Sequence, residues 1–131
     1  MTIQSCRPLL NVVDCARSVM FYRDVLGFSV VDTFEADGAV AWALLKSGTA
    51  ELMLNQNARA GTERQGRTGY TDVVLYFQVA SVHALHRELV RHGAAPSEPE
   101  AQAYGVDELY VRDPDGYELA FTSPSDLSRR S

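Results

Sequence analysis

The chain has 131 residues, 46% of them hydrophobic and 22% charged, which suits one well-formed soluble core and excludes both a disordered segment and two ordinary domains. Twelve Lys and Arg against seventeen Asp and Glu leave a net charge of -5, and an acidic chain repels phosphate backbones, which argues against nucleic-acid binding. No apolar run approaches the roughly 20 residues of a membrane span, the short polar start shows no leader, and Cys6 and Cys15 make no disulfide framework, so the expected setting is a reducing cytoplasm with both thiols small and partly buried.

In chain order, Leu10 and Val12 alternate against Leu9 and Asn11 and predict a first strand. Asp14 is placed to cap a helix whose apolar stripe is Ala16, Val19, Tyr22, Val25 and Leu26, with Gly27 as its stop. Residues 28–34 are rich in Val and Phe and read as a strand, Asp37-Gly38 as a hairpin turn, and 40–45 as the returning strand. Ser47-Gly48 turns the chain again into a strand over 50–55. Residues 56–70 then lose all periodicity. Small residues (Ala58, Ala60, Gly61, Gly66) are interleaved there with Arg59, Arg64 and Arg67, the pattern of a lid or a crossover linker.

After this linker the order repeats. Residues 72–79 predict a strand with Val73, Leu75, Phe77 and Val79 on one face. Ser81 caps a helix with Val82, Leu85, His86 and Leu89 toward the core, and Gly93 ends it. Pro96 and Pro99 allow at best an edge strand. A strand over 107–112, the turn Asp113-Pro114-Asp115-Gly116 and a strand over 117–121 complete the second half. Each half is β-α-β-β-β, and the two helix-ending glycines lie half a chain apart, the mark of an internal duplication.

Two stretches, VVDCARSVMFYRDVLGF over 12–28 and YVRDPDGYELAF over 110–121, resemble the vicinal oxygen chelate superfamily of glyoxalases, extradiol dioxygenases, fosfomycin-resistance enzymes and bleomycin-resistance proteins. The resemblance covers roughly 5–123. It implies a single α+β domain over 1–131, with one βαβββ module at about 5–57, the linker at 56–70 and a second module at about 70–123, their curved mixed sheets enclosing a concave groove. The superfamily hosts several chemistries as well as plain binders, so fold does not give function.

In the metal-dependent members the ligands lie on the first and last strand of each module. Counted from the matching motifs, those positions are Arg7, Glu51, Asp72 and Ala120. With these facing the groove, parity puts Leu9, Asn11, Met53, Asn55, Val74, Tyr76, Glu118 and Thr122 beside them. The other face is then Leu10, Val12, Leu52, Leu54, Val73, Leu75, Phe77, Leu119 and Phe121, which suits packing under helices. A one-residue slip would bury Glu51 and Asp72 there.

Arg7 is a permanent cation and Ala120 carries no donor. Glu51 and Asp72 alone could hold only Mg²⁺ or Ca²⁺, weakly, so no metal and no cofactor is expected. Two alternatives stand for the three charged groups: Arg7 bridges Glu51 and Asp72 in place of a metal, or all three are solvated edge charges. His83, His86 and His92 lie on the second helix, away from the groove, and read as surface or half-buried residues rather than ligands. No nucleophile elbow appears, and the glycines of 61–69 do not open a helix as a phosphate loop would. Tyr76 faces the groove by parity, while Trp42, Tyr104 and Tyr110 either line it or fill the sheet interface.

The resemblance therefore implies a metal-independent binding protein close to the bleomycin-resistance branch, a homodimer that sequesters an antibiotic-like or other amphipathic small molecule and binds neither nucleic acid nor membrane. The alternatives are a metal-dependent enzyme, either a glyoxalase-like lyase or isomerase using Glu51 and Asp72 or a dioxygenase-related one, and an accessory module without a small ligand.

Overall fold

The computed structural model describes residues 1–59 and 73–125. The chain divides into two compact units, Met1–Gln65 and Gly66–Ser131. The first contains strand β1 (Leu9–Val12), helix α1 (Cys15–Met20) continued by a wider turn over Phe21–Val25, and strands β2 (Ser29–Ala36), β3 (Ala39–Ser47) and β4 (Ala50–Gln56). The second contains β5 (Val74–Gln78), helix α2 (Val82–Arg91), β6 (Glu100–Ala101), β7 (Val106–Arg112) and β8 (Glu118–Pro124). The sheet orders are β1-β4-β3-β2 and β5-β8-β7-β6. Each strand of one sheet thus has its counterpart at the same place in the other, as the duplication predicts. No helix among the described residues is long and apolar enough to cross a membrane.

In the first unit β1 runs parallel to β4, and β4-β3 and β3-β2 are antiparallel. Asp14 caps α1 through its Oδ1, which accepts from the Arg17 amide at 3.2 Å. Leu10, Val12, Ala43, Leu45, Leu52 and Leu54 form the buried face of the sheet, with Cys15, Val19, Tyr22 and Phe28 in the same core. Burying the Val, Leu and Phe side chains among them contributes roughly 1.5–3 kcal/mol each. The β2–β3 hairpin turns on Asp37 and Gly38 at φ +52° and +78°, the left-handed pair of a tight two-residue turn.

The helix departs from the simple periodic expectation. Ala16 is exposed, and Cys15 and Ser18 are buried instead. The Cys15 amide donates to Gln56 Oε1 at 3.1 Å, which draws the first turn onto the end of β4. Over Phe21–Val25 the ladder widens, with the Leu26 amide donating to the Phe21 carbonyl at 3.2 Å. That extra residue re-aims the stripe, so Tyr22 is fully buried edge-on to Phe28 while Val25 and Leu26 are half-buried.

In the second unit Ser81 Oγ accepts from the Ala84 amide and Ser123 Oγ from the Val82 amide, so two hydroxyls satisfy the start of α2. Val82 and Leu89 are buried, Leu85 and His86 half-buried. The helix closes with Gly93 at φ +82° and with the Ala94 and Gly93 amides bonded to the Leu89 and Val90 carbonyls. The proline-flanked β6 is a two-residue edge strand, as expected. Val73 lies outside β5 and is exposed, against the expectation that it joins the apolar face. Cys6 is likewise exposed rather than partly buried, whereas Cys15 is buried.

Candidate functional site

Register decides which side chains share a face, because in-register partners on neighbouring strands point the same way. In the first unit Leu9 pairs with Met53, Asn11 with Asn55, and β3 sets Trp42 beside Asn55, Leu44 beside Met53 and Lys46 beside Glu51. Trp42 therefore belongs to the face opposite the buried one, with Met53 and Asn55, all three half-buried. Asn55 Nδ2 donates to Asn11 Oδ1 at 3.1 Å.

Arg7 stands ahead of β1 rather than on it, but the ladder continues past the strand through the Met53 amide bonded to the Pro8 carbonyl at 2.8 Å. Arg7 Nε consequently reaches Glu51 Oε2 at 2.7 Å, and Lys46 Nζ lies 4.0 Å from Glu51 Oε1. The Arg7–Glu51 half of the expected charge cluster is formed. Asp72, its other half, lies outside the described residues. The Arg7 side chain is 46% exposed, so water screens the pair and it stabilises by about 0.5 kcal/mol. Its consequence is chemical: the Glu51 carboxylate already serves a cation.

In the second unit three rows cross the sheet on one face. The first is Val74, Glu118 and Arg112, the second Tyr76, Ala120 and Tyr110, the third Gln78, Thr122 and Glu108. Arg112 Nη2 pairs with Glu118 Oε2 at 3.2 Å. Ala120 is fully buried between two tyrosines whose hydroxyls meet at 3.1 Å.

Tyr110 donates from its hydroxyl to Glu108 Oε1 at 2.7 Å, and Tyr104, on the turn between β6 and β7, donates to Oε2 at 3.1 Å. Glu108 is buried, 4% exposed, although Tyr104 and Tyr76 are 66% and 57% exposed. Burial pushes the Glu108 carboxyl up, but hydrogen bonds from Tyr110, Tyr76 and Tyr104 outweigh it and hold the group below the usual carboxylate range. The bonds to Tyr76 and Glu108 raise the Tyr110 phenol far above its ordinary value. Desolvation of the hydroxyl and the bond to Glu108 raise Tyr104 as well.

The structure thus brings Tyr76, Tyr104, Tyr110 and Ala120 together around a carboxylate that sequence reasoning did not single out. Parity carried the missing signal, since Glu108 lies two residues from Tyr110 on the same strand face. Its neighbour Asp107 points the other way, where His83 Nε2 meets Asp107 Oδ2 at 3.1 Å. His86 and His92 lie 3.6 and 3.9 Å from Glu98 and Glu88, so each helix histidine faces a carboxylate. Among the described residues no three His, Cys, Asp or Glu side chains are grouped to hold a metal ion. The donor set at the positions implied by the resemblance does not fit a transition metal either. Arg7 is a bound cation, Glu51 is engaged and Ala120 has no ligand atom.

A family model described as Glyoxalase/Bleomycin resistance protein/Dioxygenase superfamily matches residues 3–121. No curated protein matches the chain. Among solved structures, virulence protein STM3117 from Salmonella typhimurium is 25% identical, with 95% of this chain and 100% of that chain covered and a TM-score of 0.69. TnmS3, an antibiotic binding protein from Streptomyces sp. CB03234, is 19% identical over 95% and 99% of the two chains, with a TM-score of 0.71. Lactoylglutathione lyase from Agrobacterium tumefaciens is 19% identical over 92% of each, with a TM-score of 0.68. The last two likenesses are likenesses of fold.

Proposed function

The chain belongs to the Glyoxalase/Bleomycin resistance protein/Dioxygenase superfamily, and we propose that within it this protein is a metal-independent binder that sequesters a small amphipathic molecule without chemistry. The observation that carries this reading is the state of the metal-ligand positions. Arg7 is ion-paired to Glu51 at 2.7 Å, and Ala120 is closed in by two hydroxyl-bonded tyrosines. In place of metal donors the sheet faces carry aromatic and amide side chains, Trp42, Asn11 and Asn55 in one unit and Tyr76, Tyr104 and Tyr110 in the other. Such surfaces bind by apolar contact with a few directional hydrogen bonds. TnmS3 shares the fold and binds an antibiotic, and an antibiotic-like ligand is the class we favour here.

Every residue of β2 is exposed, including Val30, Val31 and Phe34. An open edge strand of this kind supports a homodimer in which a second copy covers it.

The test is elemental analysis of the purified protein, followed by titration with Ni²⁺, Zn²⁺, Mn²⁺ and Mg²⁺. The expected result is no stoichiometric metal and no saturable uptake. A stoichiometric ion that is lost on Glu51→Gln would overturn the reading and favour a metal-dependent lyase or isomerase. Light scattering of the same preparation reads the dimer directly.

A further inference from the structure

We propose that the Glu108 cluster of the second unit recognises an organic cation, an alkyl- or arylammonium group. This inference rests on the binding function proposed above and names the ligand class of one of its faces.

A carboxylate only accepts, so Tyr110 and Tyr104 are the donors in their bonds to Glu108. A phenol has a single proton. Tyr76, which meets the Tyr110 hydroxyl at 3.1 Å and also bonds Glu108, spends its proton inside the cluster too. What the three phenols can offer a ligand is therefore lone pairs and ring faces, both of which are electron-rich. The group at the centre is ionised at neutral pH, because the bonds from the tyrosine hydroxyls, Tyr110 and Tyr104 donating directly, hold its proton affinity below that of a free carboxylate.

No cationic side chain among the described residues pairs with Glu108. Arg112, four residues along β7 on the same face, pairs with Glu118 instead. The cluster thus combines a buried negative charge, at 4% exposure and with no cationic partner among the described residues, with two tyrosines more than half exposed. A buried carboxylate costs desolvation energy that an opposite charge nearby offsets. An ammonium group satisfies it by Coulomb attraction through the phenol oxygens and by contact with the exposed rings. A carboxylate or phosphate ligand meets only like charge and acceptors, and a neutral ligand gains the ring contact alone.

Calorimetric titration of the full chain with three probes of similar shape tests this: 2-phenylethylammonium, neutral 3-phenylpropanol and anionic 3-phenylpropionate. The ammonium should bind saturably and at least tenfold more tightly than the alcohol, with the propionate weakest. Glu108→Gln keeps the shape and should cut ammonium affinity at least tenfold while changing the alcohol less than twofold. Tyr104→Ala, at an exposed turn that the core does not need, should weaken the ammonium several-fold with an unchanged circular dichroism spectrum. Equal affinity for ammonium and alcohol overturns the inference, as does ammonium binding that survives both substitutions. In either case saturable binding of the alcohol leaves the general binding reading standing. Failure of the ammonium to bind at all overturns the inference as well.

Discussion

Replacing Tyr110 by Phe removes one oxygen atom and tests the cluster directly. Two bonds are lost, the 2.7 Å bond to Glu108 and the 3.1 Å bond to Tyr76. A hydrogen bond to a charged group is worth about 1.5–3 kcal/mol and a neutral one about 1 kcal/mol. Tyr110 is half-buried and Glu108 keeps two other donors, so we expect a net loss of about 2 kcal/mol at pH 7 by urea unfolding, at the low end of that range. The loss must depend on pH. Glu108 titrates below its unfolded value, so its contribution is present above the unfolded carboxylate pKa of about 4.3 and is lost as pH falls through the lower folded value. The Tyr110→Phe penalty should therefore be largest at pH 7 and shrink well below pH 4. A penalty under about 0.3 kcal/mol at pH 7, or one of equal size at pH 7 and pH 3, would show that the phenol does not stabilise an ionised Glu108.

Tyr110 and Tyr104 titrate above the ordinary phenol value. Their contribution is complete below the unfolded pKa of about 10 and is lost as pH rises beyond it, so stability should fall above pH 10 and less so in Tyr110→Phe, read by thermal unfolding between pH 9 and 11. Leu54→Ala, at a fully buried core position, should cost about 3 kcal/mol, while Leu9→Ala on the neighbouring exposed face should cost under about 1 kcal/mol. Of the two cysteines only Cys6 should react rapidly with a disulfide reagent in the folded protein. Burial and then Asp14 raise the Cys15 thiol, and modification of both thiols at similar rates would contradict its placement in the core.

Features fixed by neighbours in the chain were legible from the sequence. Asp14 and Ser81 cap their helices, Gly27 and Gly93 end them in the left-handed conformation, and the alternation of β1 and β4 places Leu10, Val12, Leu52 and Leu54 under α1. Parity along β4 also set Glu51, Met53 and Asn55 on one face, and the constant offset between β1 and β4 brought Arg7 to Glu51. What stayed hidden depends on partners distant in sequence. The bond from Cys15 to Gln56 spans 41 residues and displaces Ala16 from the stripe. Asp107 and Glu108 are neighbours in the sequence, yet a strand sends them to opposite faces, one to His83 on α2 and the other to the tyrosines. Neither burial is visible until β7 is seen to lie inside the sheet between β8 and β6.

Ala120 shows why a metal ligand and the tyrosine cluster exclude one another on this face. Tyr76 and Tyr110 flank it on two different strands, so their backbones are about two strand spacings, roughly 9.6 Å, apart. Their hydroxyls nevertheless meet at 3.1 Å. The rings must lean toward each other over β8, and they can do so only because the side chain between them is a methyl group. A glutamate at 120 would enter that space, part the hydroxyls and take from Tyr110 the position from which it serves Glu108. An alanine at 120 and a phenol-bound carboxylate at 108 thus belong to a single packing arrangement. The negative charge stays on the sheet face, but it is wrapped in hydrogen-bond donors that fix it two residues along the neighbouring strand. A charge held in this way is suited to recognising a cation through lone pairs and ring faces rather than to completing a coordination shell.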